Sequence, residues 1–358
     1  MAQWIDWGNG HDGSPNAISG TVNTYASCTG TATQTVLTTA LSAGDGDQIL
    51  IHQTQHATES GKWEVVKVLS DAGATLNLYT ALVNSYSTGA QCVLIPQYTG
   101  GTLSGAVTAT AWNGSVGGII ALMSNGDLTI SGSLISDGGF RGGNYAVQQG
   151  QAYTGESSAS TTLQQSAANG NGGGGGKANS GSDSVGSGGG GGNGTAGGNG
   201  GGVGSYTAGV GGGVSGNAGL TNITFGGAGG GSGVDQNGPG GNGGKGGAII
   251  FIFAKTLTLS GTMALGGTNG VTAVGGGGGG AGGSCLIKCQ SAVLGTNKIT
   301  ASGGIGGQDR GNGGNGGVGR IRCDYYTSVT GTTSPALSSA EDPSLNVPGN
   351  TGAFFQFL

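Results

Sequence analysis

Short runs in which apolar and polar positions trade places dominate the first third of the chain. They fall at 33–40 (TQTVLTTA), 48–54 (QILIHQT), 62–69 (KWEVVKVL), 74–80 (ATLNLYT), 90–95 (AQCVLI) and 102–110. A period of two puts alternate side chains on one face, which is the signature of a strand. β-Branched and aromatic residues fill these runs, and Gly44-Asp45-Gly46-Asp47, Ser60-Gly61 and Ala72-Gly73 separate them as turns. The pattern predicts a small β-rich head over 1–110, with Ile49, Ile51, Trp63, Val65, Leu76 and Leu78 facing one core.

Beyond residue 110 one unit recurs. It reads GGIIALMSNGDLTISGSLISDGG at 117–139, GGAIIFIFAKTLTLSGTMALGG at 246–267 and GGSCLIKCQSAVLGTNKITASGG at 282–304. A truncated fourth copy starts at Gly319 with RIRCDYY, 36 residues after Gly283 opens the third. Each unit predicts a strand, a turn, a second short strand and then a glycine tract. A repeat that cannot bury an apolar face alone gains that burial by stacking on its neighbours. AIIFIFA at 248–254, apolar on both faces, takes the central place in such a stack.

Composition changes the picture for the rest. Glycine accounts for 89 of 358 residues, and only 8% are charged. Residues 1–110 hold 13 glycines, 111–330 hold 73 and 331–358 hold 3. The glycines cluster without a strict period of three, and only 6 prolines occur, which excludes collagen. Tracts at 169–217, 224–247, 275–283 and 303–319 read either as irregular loops or as polyglycine-II helices. In the second case neighbouring chains approach closely enough to exchange main-chain hydrogen bonds, which a Cβ would prevent. The fold expected is all-β. A small N-terminal β-domain (1–110, assembly or attachment) precedes a glycine-rich body (111–330), and a tail with an apolar end follows (331–358). The body is expected to be stacked β-strand repeats with polyglycine-II helices packed in a layered or bundle arrangement.

Three segments, GGNGGKGGAIIFIFAKTLTLSG, GDQILIHQTQ and GFRGGNYAVQQGQAYTGES, together resemble glycine-rich repeat structural proteins of phages and environmental bacteria. The tracts are also loosely similar to tail-fibre tip adhesins built as polyglycine-II sandwiches. The resemblance implies an extracellular or virion structural protein, a tail-fibre or adhesin subunit with host-surface binding as its role. The alternative is a subunit of a non-viral extracellular filament that polymerises through its terminal segments.

A search for chemistry yields little. No HExxH, GxSxG, CxxC or phosphate-loop ending is present. The expectation is therefore no enzyme, no catalytic residue, no metal and no cofactor. His52 and His56 with Glu59 form a weak metal pattern, against solvent-facing strand positions. Cys28, Cys92, Cys285, Cys289 and Cys323 read chiefly as small buried residues, with a Cys285–Cys289 or Cys289–Cys323 bridge as the alternative.

Rings that interrupt the glycine-rich body are candidate glycan or surface contacts: Phe140, Tyr145, Tyr153, Tyr206 and Phe225, with Arg141 beside the first. Trp4, Trp7, Phe354, Phe355, Phe357 and Leu358 are candidate subunit contacts, because apolar ends favour burial. The partners expected are further copies of the chain, other tail proteins and a host-surface polysaccharide or protein. A net charge of −5 argues against nucleic acid. No apolar run has membrane-spanning length. The N-terminus has no recognisable signal peptide, so a virion or extracellular location is expected by a route other than that signal.

Overall fold

Six antiparallel strands close on themselves at the N-terminal end of the molecule. They are β1 (Thr24–Gly30), β2 (Val36–Thr39), β3 (Gln48–Gln53), β4 (Trp63–Asp71), β5 (Thr75–Leu78) and β6 (Ala90–Ile95), in the barrel order β1-β2-β5-β4-β3-β6. The computed structural model describes residues 6–135, 138–146, 150–178, 184–235 and 238–346. Leu37, Ile49, Ile51, Val66, Val68, Leu76 and Cys92 fill the barrel interior. Two strands bend to serve both halves of the barrel. β1 pairs with β6 through Thr24–Ser27 and with β2 from Cys28 onward, and β4 divides in the same way between β3 and β5.

The register of β4 departs from the expected face. Val66 and Val68 point into the barrel, while Trp63 and Val65 point outward. The reason is that the outer wall is itself buried. Leu50, Val93 and Ile95 share a second core with Trp7, Met123, Phe251, Phe253 and Phe225, and Trp63 and Val65 pack against it.

That second core lies against a ten-stranded sheet. Its strands are β7 (Gln97–Tyr98), β8 (Gly101–Leu103), β9 (Ala106–Thr108), β10 (Ile119–Ile130), β11 (Ser133–Ile135), β16 (Ile249–Leu259), β17 (Thr262–Ala264), β18 (Ser284–Thr300), β19 (Arg320–Ser334) and β20 (Ser338–Glu341). Two small two-stranded antiparallel sheets are formed by β12 (Lys177–Ala178), β13 (Val185–Gly186), β14 (Gly202–Val203) and β15 (Tyr206–Thr207), which pair β12 with β15 and β13 with β14. β10, β16, β18 and β19 run parallel, with Ile119, Ile249, Ser284 and Arg320 side by side. The sheet then curls. The far end of β18 pairs with β17, β17 with β11, and β11 with β9.

Strand alternation divides the side chains between two cores. In β16, Ile250, Ile252 and Ala254 face the core inside the curl, while Ile249, Phe251 and Phe253 face the barrel. Parallel strands buried on both faces read as continuous apolar runs, and IIFIFA is one.

The glycine tracts bond to one another main chain to main chain. Gly278 donates to Gly230 O at 2.9 Å, Gly230 to Gly189 O at 2.9 Å and Gly191 to Gly279 O at 2.9 Å. The one helical element among the described residues is a 3₁₀ turn, Pro343–Leu345.

All-β is therefore right, but the expected body of stacked repeat strands with polyglycine-II helices in layers is corrected to one closed barrel and one curled sheet packed together. The long strands spend one face on the curl's own core and the other on the barrel. Such a chain forms a compact domain rather than an elongated glycine-rich rod. The readings as a virion tail-fibre or adhesin subunit, and as a filament subunit, are corrected on the same ground.

Candidate functional site

β2 and β6 both pair with β1 but part from each other at Cys28, because β1 changes partner there. A cleft of about 690 Å³ opens at this fork. Its wall carries the hydroxyls of Ser27, Thr29, Thr38, Thr88 and Ser115, with Thr39, Ala40, Ala74, Ala90, Gly73, Gly89 and Cys28 also bordering it. No charged side chain lines it. Thr29 and Thr38 face each other across the β1–β2 pair and are exposed. Ser27 Oγ lies 2.9 Å from Ser115 Oγ, which ties the strand to the segment leading into the sheet.

Behind this wall Thr39 is buried. Its hydroxyl donates to Ser27 O at 3.0 Å and sits 3.1 Å from Cys92 Sγ. The Cys92 thiol is held below its ordinary range by the neighbouring Cys28 thiol. The Cys28 thiol is pushed up, by Cys92 first and by burial second.

A second group of buried polar side chains joins the barrel to the glycine-rich half. His52 is fully buried. Its Nε2 lies 2.8 Å from Ile223 O and its Nδ1 2.8 Å from Thr54 Oγ1. A carbonyl only accepts, so Nε2 carries the proton and Nδ1 accepts from the Thr54 hydroxyl. Gln91 Nε2 in turn donates to Thr54 Oγ1 at 2.8 Å and to Gly117 O at 3.1 Å. The ring stacks on Phe225, with centroids 6.1 Å apart. Burial pushes the His52 imidazole down to about 4.

Glu64 is also buried, and its carboxylate accepts the main-chain N–H groups of Val83 and Asn84, each at 2.9 Å. Buried polar groups fully satisfied in networks of this kind rigidify a globular domain and specify a unique core. The expectation of a purely structural, non-enzymatic protein is corrected by this architecture.

The residues singled out in the sequence scatter. Phe140 and Phe225 are fully buried and meet edge to face, with Trp112 against both. Arg141 forks onto the buried carboxylate of Glu156, Nε to Oε2 at 3.2 Å and Nη2 to Oε1 at 3.2 Å. Tyr145 and Tyr206 are exposed, and Tyr153 is half-buried. Trp7 is buried in the core between barrel and sheet. Trp4, Phe354, Phe355, Phe357 and Leu358 lie outside the described residues. The sequence pattern did not single out Thr29, Thr38 or Thr88 as a site. His52 was read as solvent-facing, and the sheet packed on the barrel wall makes it buried.

Among the described residues no group of three or more His, Cys, Asp and Glu side chains is placed to hold a metal ion. No helix among the described residues is long and apolar enough to cross a membrane. All five cysteines are free and buried.

The Arg141–Glu156 pair gives a first prediction. Removing one partner strands a buried carboxylate, although the main-chain N–H of Arg141 still bonds to Glu156 Oε2 at 3.0 Å. With the guanidinium half-exposed, Arg141→Ala is expected to cost about 2 kcal/mol in urea unfolding at neutral pH. An unchanged midpoint refutes a structural role for the pair.

The resemblance to glycine-rich repeat proteins of phages and bacteria, and to tail-fibre tip adhesins, is corrected by the compact barrel and curled sheet, and the viral, tail-fibre and filament descriptions go with it. Comparison with known proteins finds no family model that matches the chain, no similar curated protein and no similar solved structure.

Proposed function

We propose that the protein binds a small, neutral, hydroxyl-bearing ligand, a mono- or disaccharide in class, in the cleft where β2 and β6 part. The observation that carries this reading is the lining: the hydroxyl side chains of Ser27, Thr29, Thr38, Thr88 and Ser115, small apolar groups and no charge. Hydroxyls donate and accept at once, so they match a ligand whose own groups do the same. Without a formal charge in the wall, an ionic ligand gains nothing to offset its desolvation. The volume lies within the range of small-molecule sites, about 300–1,000 Å³. At Gly73, which borders the cleft, a Cβ would find nothing within 4 Å, so the main chain there lies open.

Calorimetric titration with a panel of neutral and acidic mono- and disaccharides tests this. Neutral sugars are expected to bind with Kd on the order of millimolar, and acidic ones more weakly. Thr38→Val and Thr88→Val each remove one hydroxyl and are expected to weaken binding roughly threefold to tenfold, the worth of one hydrogen bond. Absence of binding across the neutral panel, or binding indifferent to both substitutions, refutes the assignment.

A further inference from the structure

We propose that a pocket at the start of β19 binds a short-chain monocarboxylate on the Arg320 guanidinium. The pocket has a volume of about 160 Å³ and lies beside the return from β19 to β20. Val318, Ile321, Pro335 and Ala336 give it an apolar wall. Among the described residues, Arg320 is the one charged side chain in its lining.

The strand register shows why this cation stands apart. Ser284, Leu286 and Lys288 of β18 lie beside Arg320, Arg322 and Asp324 of β19, so the six share one face of the sheet. Further along that face the cations are matched. Lys288 Nζ lies 2.9 Å from Asp324 Oδ2 and 3.6 Å from Asp342 Oδ2, and Arg322 Nη2 lies 2.7 Å from Asp324 Oδ1. Arg320 has no carboxylate at ion-pair distance among the described residues. Carbonyls hold it instead. Its Nε donates to Ser215 O at 3.3 Å, and its Nη2 donates to Ser215 O at 3.1 Å and to Asn193 O at 3.4 Å. These acceptors are fixed in turn. Ser215 N donates to Asn193 O at 3.0 Å, and the buried Asn193 amide donates to Gly282 O at 2.8 Å and to Ser284 Oγ at 3.1 Å. The guanidinium is therefore oriented before any ligand arrives, and its Nη1 has no acceptor among the described residues. Burial pushes Arg320 below its ordinary value, and no carboxylate opposes that shift.

The wall selects the ligand. A carboxylate accepts charge-assisted hydrogen bonds from a guanidinium. Ser338 Oγ accepts from Arg322 Nη1 at 3.5 Å, and its own hydrogen has no acceptor among the described residues, so the hydroxyl offers a second donor. One positive charge neutralises one negative charge. A dianion would carry a second charge out of water against Val318 and Ile321, with nothing to offset that cost. A short alkyl chain covers the same apolar groups. The pocket shares no lining residue with the cleft between β2 and β6.

The test titrates the full chain at neutral pH with butyrate, butyramide and inorganic phosphate, read by calorimetry. Butyrate and butyramide match in shape and differ in charge. Butyrate is expected to bind with Kd on the order of millimolar, butyramide about tenfold more weakly, the worth of one charged hydrogen bond, and phosphate more weakly than butyrate. Arg320→Gln is expected to weaken butyrate binding by about tenfold, and Ser338→Ala by roughly threefold. Thr38→Val, on the sugar cleft, is expected to leave butyrate binding unchanged. Should Arg320→Gln not fold, the comparison of butyrate with butyramide on wild type and on Ser338→Ala decides the matter. Equal affinity for butyrate and butyramide, tighter binding of phosphate, or an Arg320→Gln protein that binds butyrate as wild type does each overturns the proposal.

Discussion

Gly278→Ala is expected to destabilise the protein by about 4 kcal/mol, while Gly213→Ala changes its stability by less than about 1 kcal/mol. Gly278 needs no unusual backbone angle; what it needs is room. A Cβ there would lie 1.9 Å from Gly189 O and 2.5 Å from Gly189 C. Both atoms belong to main chain, so no side chain can swing aside. The segments must separate instead, and Gly278 is bonded on both sides. It donates to Gly230 O at 2.9 Å and accepts from Gly244 N at 2.8 Å. Overpacking costs about 1–3 kcal/mol, and each main-chain bond lost adds about 0.5–1.5 kcal/mol. Gly213 is exposed, and a Cβ there finds its nearest atom at 3.5 Å. Alanine at that position mainly restricts the unfolded chain, a small gain. Urea unfolding followed by circular dichroism separates the two. If Gly278→Ala unfolds at the midpoint of Gly213→Ala, the close approach of the tracts does not hold the fold together.

How far the sequence foretold these features depends on whether each is local. The all-β character was legible, because five of the six predicted head runs overlap barrel strands. β1 was missed. Its TYASCTG text is polar, and Cys28 is its one buried residue. The outward placement of Trp63 was not legible from β4 alone, because alternation marks two faces without saying that both are covered. AIIFIFA was the exception, since only a strand buried on both sides tolerates seven apolar residues in a row.

The aromatic interruptions at Phe140 and Phe225 marked residues in use but not the direction in which they point. They meet Trp112, from a third stretch of chain, in a cluster that no local pattern encodes. The cleft was illegible for a related reason. Thr29, Thr38 and Thr88 come from three segments, and what joins them is the partner switch of β1 at Cys28. Such a switch is a fact of register, and nothing in TYASCTG announces it.

Acidification from pH 7 to pH 4.5 is expected to lower the stability of the protein by on the order of 2–3 kcal/mol through His52 alone. The imidazole is buried and neutral in the folded state, pushed down to about 4 from an ordinary value of 6.5. The unfolded chain takes up a proton once the pH falls below 6.5, and the folded chain resists it. The contribution is therefore fully present above 6.5, declines as the pH falls toward 4 and stays flat below that. Each unit of pKa difference is worth about 1.36 kcal/mol.

The structural consequence follows from the hydrogen bonds. A proton added at Nδ1 would face Thr54 Oγ1, which already accepts from Gln91 Nε2. The Thr54 hydroxyl would lose its acceptor, and a charge would rest against Phe225 with no carboxylate at hydrogen-bonding distance from either ring nitrogen. His52 also holds Ile223 O, and Ile223 N donates to Gly61 O at 2.9 Å, so the segment around Ile223 is pinned to the barrel at two points. Trp63 Nε1 adds a third bond, to Leu220 O at 2.9 Å. Acid is thus expected to loosen this junction before the barrel interior.

Glu59 and Asp71, whose carboxyls are held below their ordinary values of 4.5 and 3.8, titrate in the unfolded chain only at or beneath the end of this window. Unfolding free energies measured between pH 7 and 4.5 for wild type and His52→Gln isolate the histidine. The amide still donates toward Ile223 O and accepts from Thr54 but does not titrate. Wild type is expected to show the steeper decline, and parallel pH dependences for the two proteins would show that the imidazole does not set the acid sensitivity.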